Sequence, residues 1–164
     1  MEKLIHYAGI KENDVYDGEG ICVSFWVQGC PFHCPHCHNP ETWDFNGGIE
    51  LPSDWKSTII KAISKNNVRR NFSVLGGEPL CEENIKLTAD VIRVVRTAYP
   101  QIHIYLWTGF TLEELKEKDD PNISFVLTNI DTLIDGKFIY EEKDLTLKLR
   151  GSKNQRILEK GIDF

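Results

Sequence analysis

The sequence predicts an α/β fold: an open, partial (βα) barrel built on a mostly parallel sheet, in a single domain over residues 1–164. Short runs rich in β-branched and aromatic residues alternate with stretches whose apolar residues recur at helical spacing. Alternation of this kind joins parallel strands through crossover helices. Length supplies the second observation. A closed eight-unit barrel needs about 250 residues, whereas this chain has 164, room for about five βα units of about 30 residues each. The third is continuity: no repeat, low-complexity tract or linker rich in Pro, Gly or Ser divides the chain.

Taken in order, Lys11 to Gly20 is polar and ends in the turn composition Asp17-Gly18-Glu19-Gly20. Ile21 to Val27 reads as a buried strand. After a loop through Gly47-Gly48 and Pro52, Ser53 is the expected cap of a helix carrying Trp55, Ile59 and Ile63 on one face. Phe72 to Leu75 is a short strand ending at Gly76-Gly77. A longer helix is expected over Glu82 to Tyr99, with Ile85, Ala89, Ile92 and Val95 on its apolar face. Its acidic start, Glu82-Glu83, suits the positive end of the helix dipole, and Pro100 terminates it.

Ile102 to Trp107 is a further strand, and Thr111-Leu-Glu-Glu114 is a capping box opening a short helix. Within Ile123 to Ile134 the pattern is ambiguous, with a strand favoured close to Asp135. Leu145 to Arg150 is the last expected extended piece, before a polar tail. In parallel α/β folds, working residues gather at the carboxyl ends of strands.

Bulk properties narrow the function. Hydrophobic residues at 41% and charged residues at 27% describe an ordinary soluble globular protein. A formal net charge of -6 repels polyphosphate chains, so no nucleic-acid partner is expected. The opening Met1-Glu2-Lys3-Leu4-Ile5-His6 lacks an apolar signal core, and no apolar run is long enough to cross a bilayer. A cytoplasmic location without membrane attachment is the expectation.

Three of the five cysteines crowd one loop, Cys30-Pro-Phe-His-Cys34-Pro-His-Cys37, after the first predicted strand. In a reducing compartment such crowding reads as metal ligation rather than a disulfide frame. Three thiolates spaced Cys-x3-Cys-x2-Cys suit a [4Fe-4S] cluster with one iron left without a protein ligand. Structural zinc is the alternative, with His33, His36 or His38 as a fourth ligand. Zinc sites more often pair two short motifs, and no second Cys-x2-Cys occurs here. Cys22 and Cys81 stand outside the loop and read as small core residues.

The cysteine triplet followed by Gly76-Gly77-Glu78-Pro79 after a later strand resembles the radical S-adenosylmethionine enzymes. Cys37-His38-Asn39-Pro40-Glu41-Thr42-Trp43 is similar to the branch that activates glycyl-radical enzymes, where Cys-x-Asn-x-x-Thr-Trp follows the last cluster cysteine. Asp135-Gly136-Lys137-Phe138, the run from Leu149-Arg150 to Arg156 and the short length resemble the members acting on anaerobic ribonucleotide reductase. The likeness covers nearly the whole chain from Asp17.

That resemblance implies Cys30, Cys34 and Cys37 as cluster ligands and S-adenosyl-L-methionine as the second cofactor. It implies His36, Cys37, His38 and Asn39 near the cofactor, with Gly76, Gly77 and Glu78 against its methionine part and Asp135 or Lys137 at its methionine or ribose end. Two glycines allow close backbone approach, and a carboxylate accepts from an ammonium. Taken alone, Gly76-Gly77 and Asp135-Gly136 are simple turns, and Arg150 and Arg156 are solvated charges or carboxylate holders.

The implied partner is the large subunit of anaerobic ribonucleoside-triphosphate reductase, a protein substrate, with flavodoxin or ferredoxin as low-potential electron donor. Two rivals remain on the residues: an activating enzyme of pyruvate formate-lyase or another glycyl-radical enzyme, and a non-enzymatic zinc or electron-transfer module.

Overall fold

A computed structural model describes residues 4–164; Met1 to Lys3, part of the stretch read as lacking a signal, lie outside it. Seven strands form one sheet: β1 (His6–Asp14), β2 (Cys22–Val27), β3 (Ile49–Glu50), β4 (Asn71–Gly76), β5 (Ile104–Trp107), β6 (Thr132–Asp135) and β7 (Arg156–Glu159). Their spatial order is β3-β1-β2-β4-β5-β6-β7, and the two edges do not meet. The four central strands, β2, β4, β5 and β6, are parallel neighbours. β1 and β3 on one side and β7 on the other pair antiparallel.

Four helices connect or flank them: α1 (Trp55–Ile63), α2 (Ile85–Ala98), α3 (Leu112–Glu117) and α4 (Pro121–Asn129). Three crossovers therefore link four parallel strands, fewer than the five units that length alone allowed. The missing length sits in β1, the cysteine loop and the C-terminal segment, none of which forms a βα unit.

Strand periodicity sorts the two faces of the sheet. Val23, Phe25 and Val27 of β2 lie on the same side as Phe72 and Val74 of β4 and Ile104 and Leu106 of β5. That face is fully buried under α1, α2, α3 and α4, through Ile59, Ile92, Leu115 and Val126 among others. Both faces of the central strands are covered, which explains their near-continuous apolar composition. The alternate residues Ser24, Trp26, Ser73, Leu75, Tyr105 and Trp107 point to the other face. Among the described residues no helix covers them. The Asp17-Gly18 turn and the C-terminal segment do, with Ser73 Oγ donating to the Asp17 carbonyl at 2.5 Å and Trp107 Nε1 to the Leu149 carbonyl at 2.7 Å.

Several expectations need correction. β1 takes Lys11 to Asp14 out of the segment read as polar, because it is a half-solvated strand interrupted by register shifts. α1 starts after Asp54 rather than Ser53; the Asp54 carbonyl collects the hydroxyls of Ser57 and Thr58. α2 begins at Ile85, so Glu82 and Glu83 belong to the turn before it rather than its first turn. Residues 145–150 are turn and bend, and the last strand lies in the supposed polar tail, where β6 supplies its partner. The ambiguous stretch resolves into α4 and β6. The capping box at Thr111 and Glu114 forms as expected.

Candidate functional site

The cysteine loop leaves the carboxyl end of β2 and returns beside its own start. Gly29 N donates to the Thr42 carbonyl at 2.7 Å and Cys30 N to the Trp43 carbonyl at 3.1 Å. Gln28, buried, clamps the return by donating through Nε2 to the carbonyls of Glu41 (3.0 Å) and Asp44 (2.8 Å). Inside the loop, Cys37 N donates to the Cys34 carbonyl at 3.1 Å and Asn39 N to Cys37 Sγ at 3.4 Å. Cys30, Cys34 and Cys37 are all half-buried and unpaired. Burial pushes the Cys30 and Cys34 thiols up, and neighbouring thiols add to it. A positive metal centre reverses that penalty by stabilising thiolate.

The loop histidines are engaged by aromatic rings. His33 stacks on Trp43 with centroids 4.7 Å apart, His36 on Tyr140 at 4.1 Å, and His38 meets the edge of Phe138 at 4.9 Å. Tyr140 and Phe138 follow β6, so two of these contacts fasten the loop to the next strand end but two in the sheet. Phe32 completes the clasp, packed on Phe110 at 4.8 Å and under the Lys137 ammonium at 4.6 Å. These contacts hold the planes of the imidazoles, and the three thiols beside them are a donor set that suits an iron–sulfur cluster. Among the described residues the three sulfurs are not gathered into one coordination sphere. The donor chemistry of three thiols fits a cluster.

Beside the loop lies a cavity of about 440 Å³ on the helix-free face. Cys34, Cys37, His38, Asn39, Gly76, Gly77 and Lys137 reach it; Cys30, His36, Glu78 and Asp135 do not. Its floor is apolar, made by Trp26, Leu75 and Trp107 from three adjacent strands. The sequence reading passed over these three, although the period-2 alternation with Ser24, Ser73 and Tyr105 marks them as one face.

Gly76 and Gly77 have a role besides lining the cavity. Gly76 adopts φ +112°, and a Cβ there would lie 2.6 Å from the Val27 carbonyl oxygen. A Cβ on Gly77 would collide with the Gly29 carbonyl. The pair lets the end of β4 lie against the root of the cysteine loop, where Gly77 N donates to Val27 O at 3.0 Å and Glu78 N to Gly29 O at 2.8 Å.

Glu78 is buried, and its carboxylate is turned into the protein. It accepts from Leu80 N (2.8 Å), Thr108 Oγ1 (2.8 Å) and Gly109 N (2.6 Å). Burial raises its carboxyl to about 7 against the pull of these donors. Asp135 is likewise inside: it accepts from Leu112 N at 2.8 Å, at the start of α3, and from Arg156 Nε at 3.0 Å. Arg156 also pairs with Glu113 at 2.7 Å, so it is a carboxylate holder rather than a free charge. Cys22 and Cys81 are buried, and burial lifts the Cys81 thiol to about 12, consistent with inert core residues.

Fold and site together define a class: an α/β protein with a three-cysteine loop at the carboxyl end of a parallel strand, opening on a ligand-sized cavity. The family described as a 4Fe-4S single cluster domain matches residues 16–158. Similar chains named anaerobic ribonucleoside-triphosphate reductase-activating protein occur in Vibrio cholerae, 37% identical over 88% of this chain and 91% of that one. The Haemophilus influenzae protein of that name is 34% identical over 93% of this chain and 97% of its own. In Escherichia coli K12 the identity is 33% over 87% and 90% respectively. The chain belongs to this family of reductase-activating proteins, within the single-cluster 4Fe-4S domains.

Proposed function

We propose that this chain is a radical S-adenosylmethionine activase whose protein substrate is the large subunit of anaerobic ribonucleoside-triphosphate reductase. Three unpaired thiols on one clasped loop, against a cavity also lined by Gly76 and Gly77, carry the reading. Cys30, Cys34 and Cys37 would hold a [4Fe-4S] cluster with one iron open to the cofactor. When bound, cluster and cofactor supply an electron, reductive cleavage of the sulfonium and an adenosyl radical that takes a hydrogen atom from a glycine of the reductase.

The residues of the chain place and shield. Gly76 and Gly77 offer backbone to the methionine part, while Lys137, beside the loop, faces its carboxylate or ribose end. Asn39 and His38 flank the same wall. Trp26, Leu75 and Trp107 keep water from the floor. Glu78 and Asp135 act at one remove: Glu78 fixes the Thr108-Gly109 turn in the cavity wall, and Asp135 anchors the strand end that carries Gly136 and Lys137. His36 braces the loop through Tyr140.

In this reading the sheet is an open partial barrel forming a single domain, and the uncovered side admits a loop of a large partner. No helix among the described residues is long and apolar enough to cross a membrane. The protein works in the cytoplasm, reduced by a flavodoxin or ferredoxin. Incubating reduced, reconstituted protein with S-adenosylmethionine and the reductase tests this. A glycyl radical signal on the reductase is expected; cofactor cleavage without that signal would give the chain another target.

A further inference from the structure

A second cavity, of about 270 Å³, opens at the amino ends of β4 and β5, the end of the sheet away from the cysteine loop. It lies between the turn after α1 and the end of α2. Two arginines, Arg69 and Arg70, line it, and among the described residues no carboxylate does, in a chain of net charge -6. Ile63, Val68, Tyr99 and Ile102 give it apolar walls.

Arg70 is only 4% exposed, yet among the described residues no carboxylate pairs with it. Arg93, Arg96 and Arg156 each meet an aspartate or glutamate. Glu12, next to Asn13 in β1, is taken by Lys65 at 2.9 Å. Arg70 Nε donates to Asn13 Oδ1 at 3.0 Å, and Nη1 to the carbonyls of Lys65 at 2.8 Å and Val68 at 3.2 Å. Nη2 meets no acceptor among the described residues and is not sealed from solvent. The cavity is the opening that Arg70 lines. Arg69 is exposed beside it and makes no ion pair among the described residues. Asn66 and Asn67 hold left-handed φ of 58° and 57°, so the chain reverses after α1 and carries both arginines to the head of β4.

A buried charge without a counter-charge is costly, and a bound anion relieves that cost. Guanidinium N–H groups match phosphate oxygens in shape and charge. The aromatic and aliphatic walls suit a ligand whose phosphate is attached to a flat, less polar body. We propose that this cavity binds a nucleoside phosphate, with the phosphate on Arg69 and the Nη2 edge of Arg70 and the base against Tyr99 and Ile102. The site is separate from the cavity beside the cysteine loop and does not depend on the cofactor reading.

The test is calorimetric titration of uridine monophosphate, uridine and inorganic phosphate into the full-length reconstituted protein and its Arg69→Gln and Arg70→Lys variants. Melting temperatures are followed in parallel. The nucleotide should bind, inorganic phosphate should bind more weakly, and uridine should not bind. Arg69→Gln breaks no hydrogen bond within the described residues and should weaken the nucleotide about tenfold or more at an unchanged melting temperature. Arg70→Lys keeps the charge, loses the fork and should weaken it as well. Should Arg70→Lys melt early, Arg69→Gln decides the matter alone. A wild-type protein that binds no nucleotide, or equal affinity in wild type and Arg69→Gln, overturns the proposal. Inorganic phosphate bound as tightly as the nucleotide overturns the role of the apolar walls, and uridine bound as tightly overturns that of the arginines.

Discussion

Thr108 Oγ1 donates to Glu78 Oε2 at 2.8 Å with both residues buried, and this bond ties the turn after β4 to the end of β5. Glu78 therefore shapes the cavity wall from behind. The carboxylate that local sequence places next to a ligand is occupied by a hydroxyl and two amides from its own chain.

Glu78→Gln should lower unfolding stability by about 1–3 kcal/mol, because the new amide NH2 faces at least one of those donors. Stability should also depend on pH through this group. Burial raises the Glu78 carboxyl from 4.5 to about 7. The folded state then holds the proton more tightly than the unfolded chain. The contribution is fully present below pH about 4.5 and is lost as pH rises through about 7. Denaturant unfolding of wild type and variant across this window checks it; a difference independent of pH would contradict the titration.

Asp135 and Arg156 give a second test. Asp135→Asn leaves Arg156 short of its buried acceptor and should cost about 1–3 kcal/mol, moderated because Arg156 is 43% exposed and retains Glu113. Thermal unfolding measures the loss. A variant of unchanged stability that fails to bind S-adenosylmethionine would show that Asp135 serves the ligand instead.

Gly77→Ala places a methyl group against the Gly29 carbonyl and should separate β4 from the cysteine loop. The expected penalty is about 1–3 kcal/mol or more, together with poorer iron retention after reconstitution. Full stability with normal iron would mean that the loop root yields freely.

The parts of the fold that could be read locally are those with strong periodicity. β2, β4 and β5 show as apolar runs because helices and cavity bury both their faces, and Thr111 with Glu114 signals α3 within four residues. β1 and β7 were invisible because half-solvated antiparallel strands are defined by their partners. The cysteine loop was legible because its ligands are adjacent in sequence. The uses of Glu78 and Asp135 were not, since their partners Gly109 and Arg156 lie 31 and 21 residues away. His33, His36 and His38 read as candidate ligands for the same reason; their contacts with Trp43, Tyr140 and Phe138 exist only in the folded chain.

The central claim is that the loop holds iron and leaves one coordination position for S-adenosylmethionine. Anaerobic reconstitution followed by electron paramagnetic resonance of the reduced protein, with and without S-adenosylmethionine, addresses it most directly. About four irons per chain and a spectrum that shifts on adding the cofactor are predicted. A chain that takes up only zinc, or a reduced spectrum indifferent to the cofactor, would contradict it.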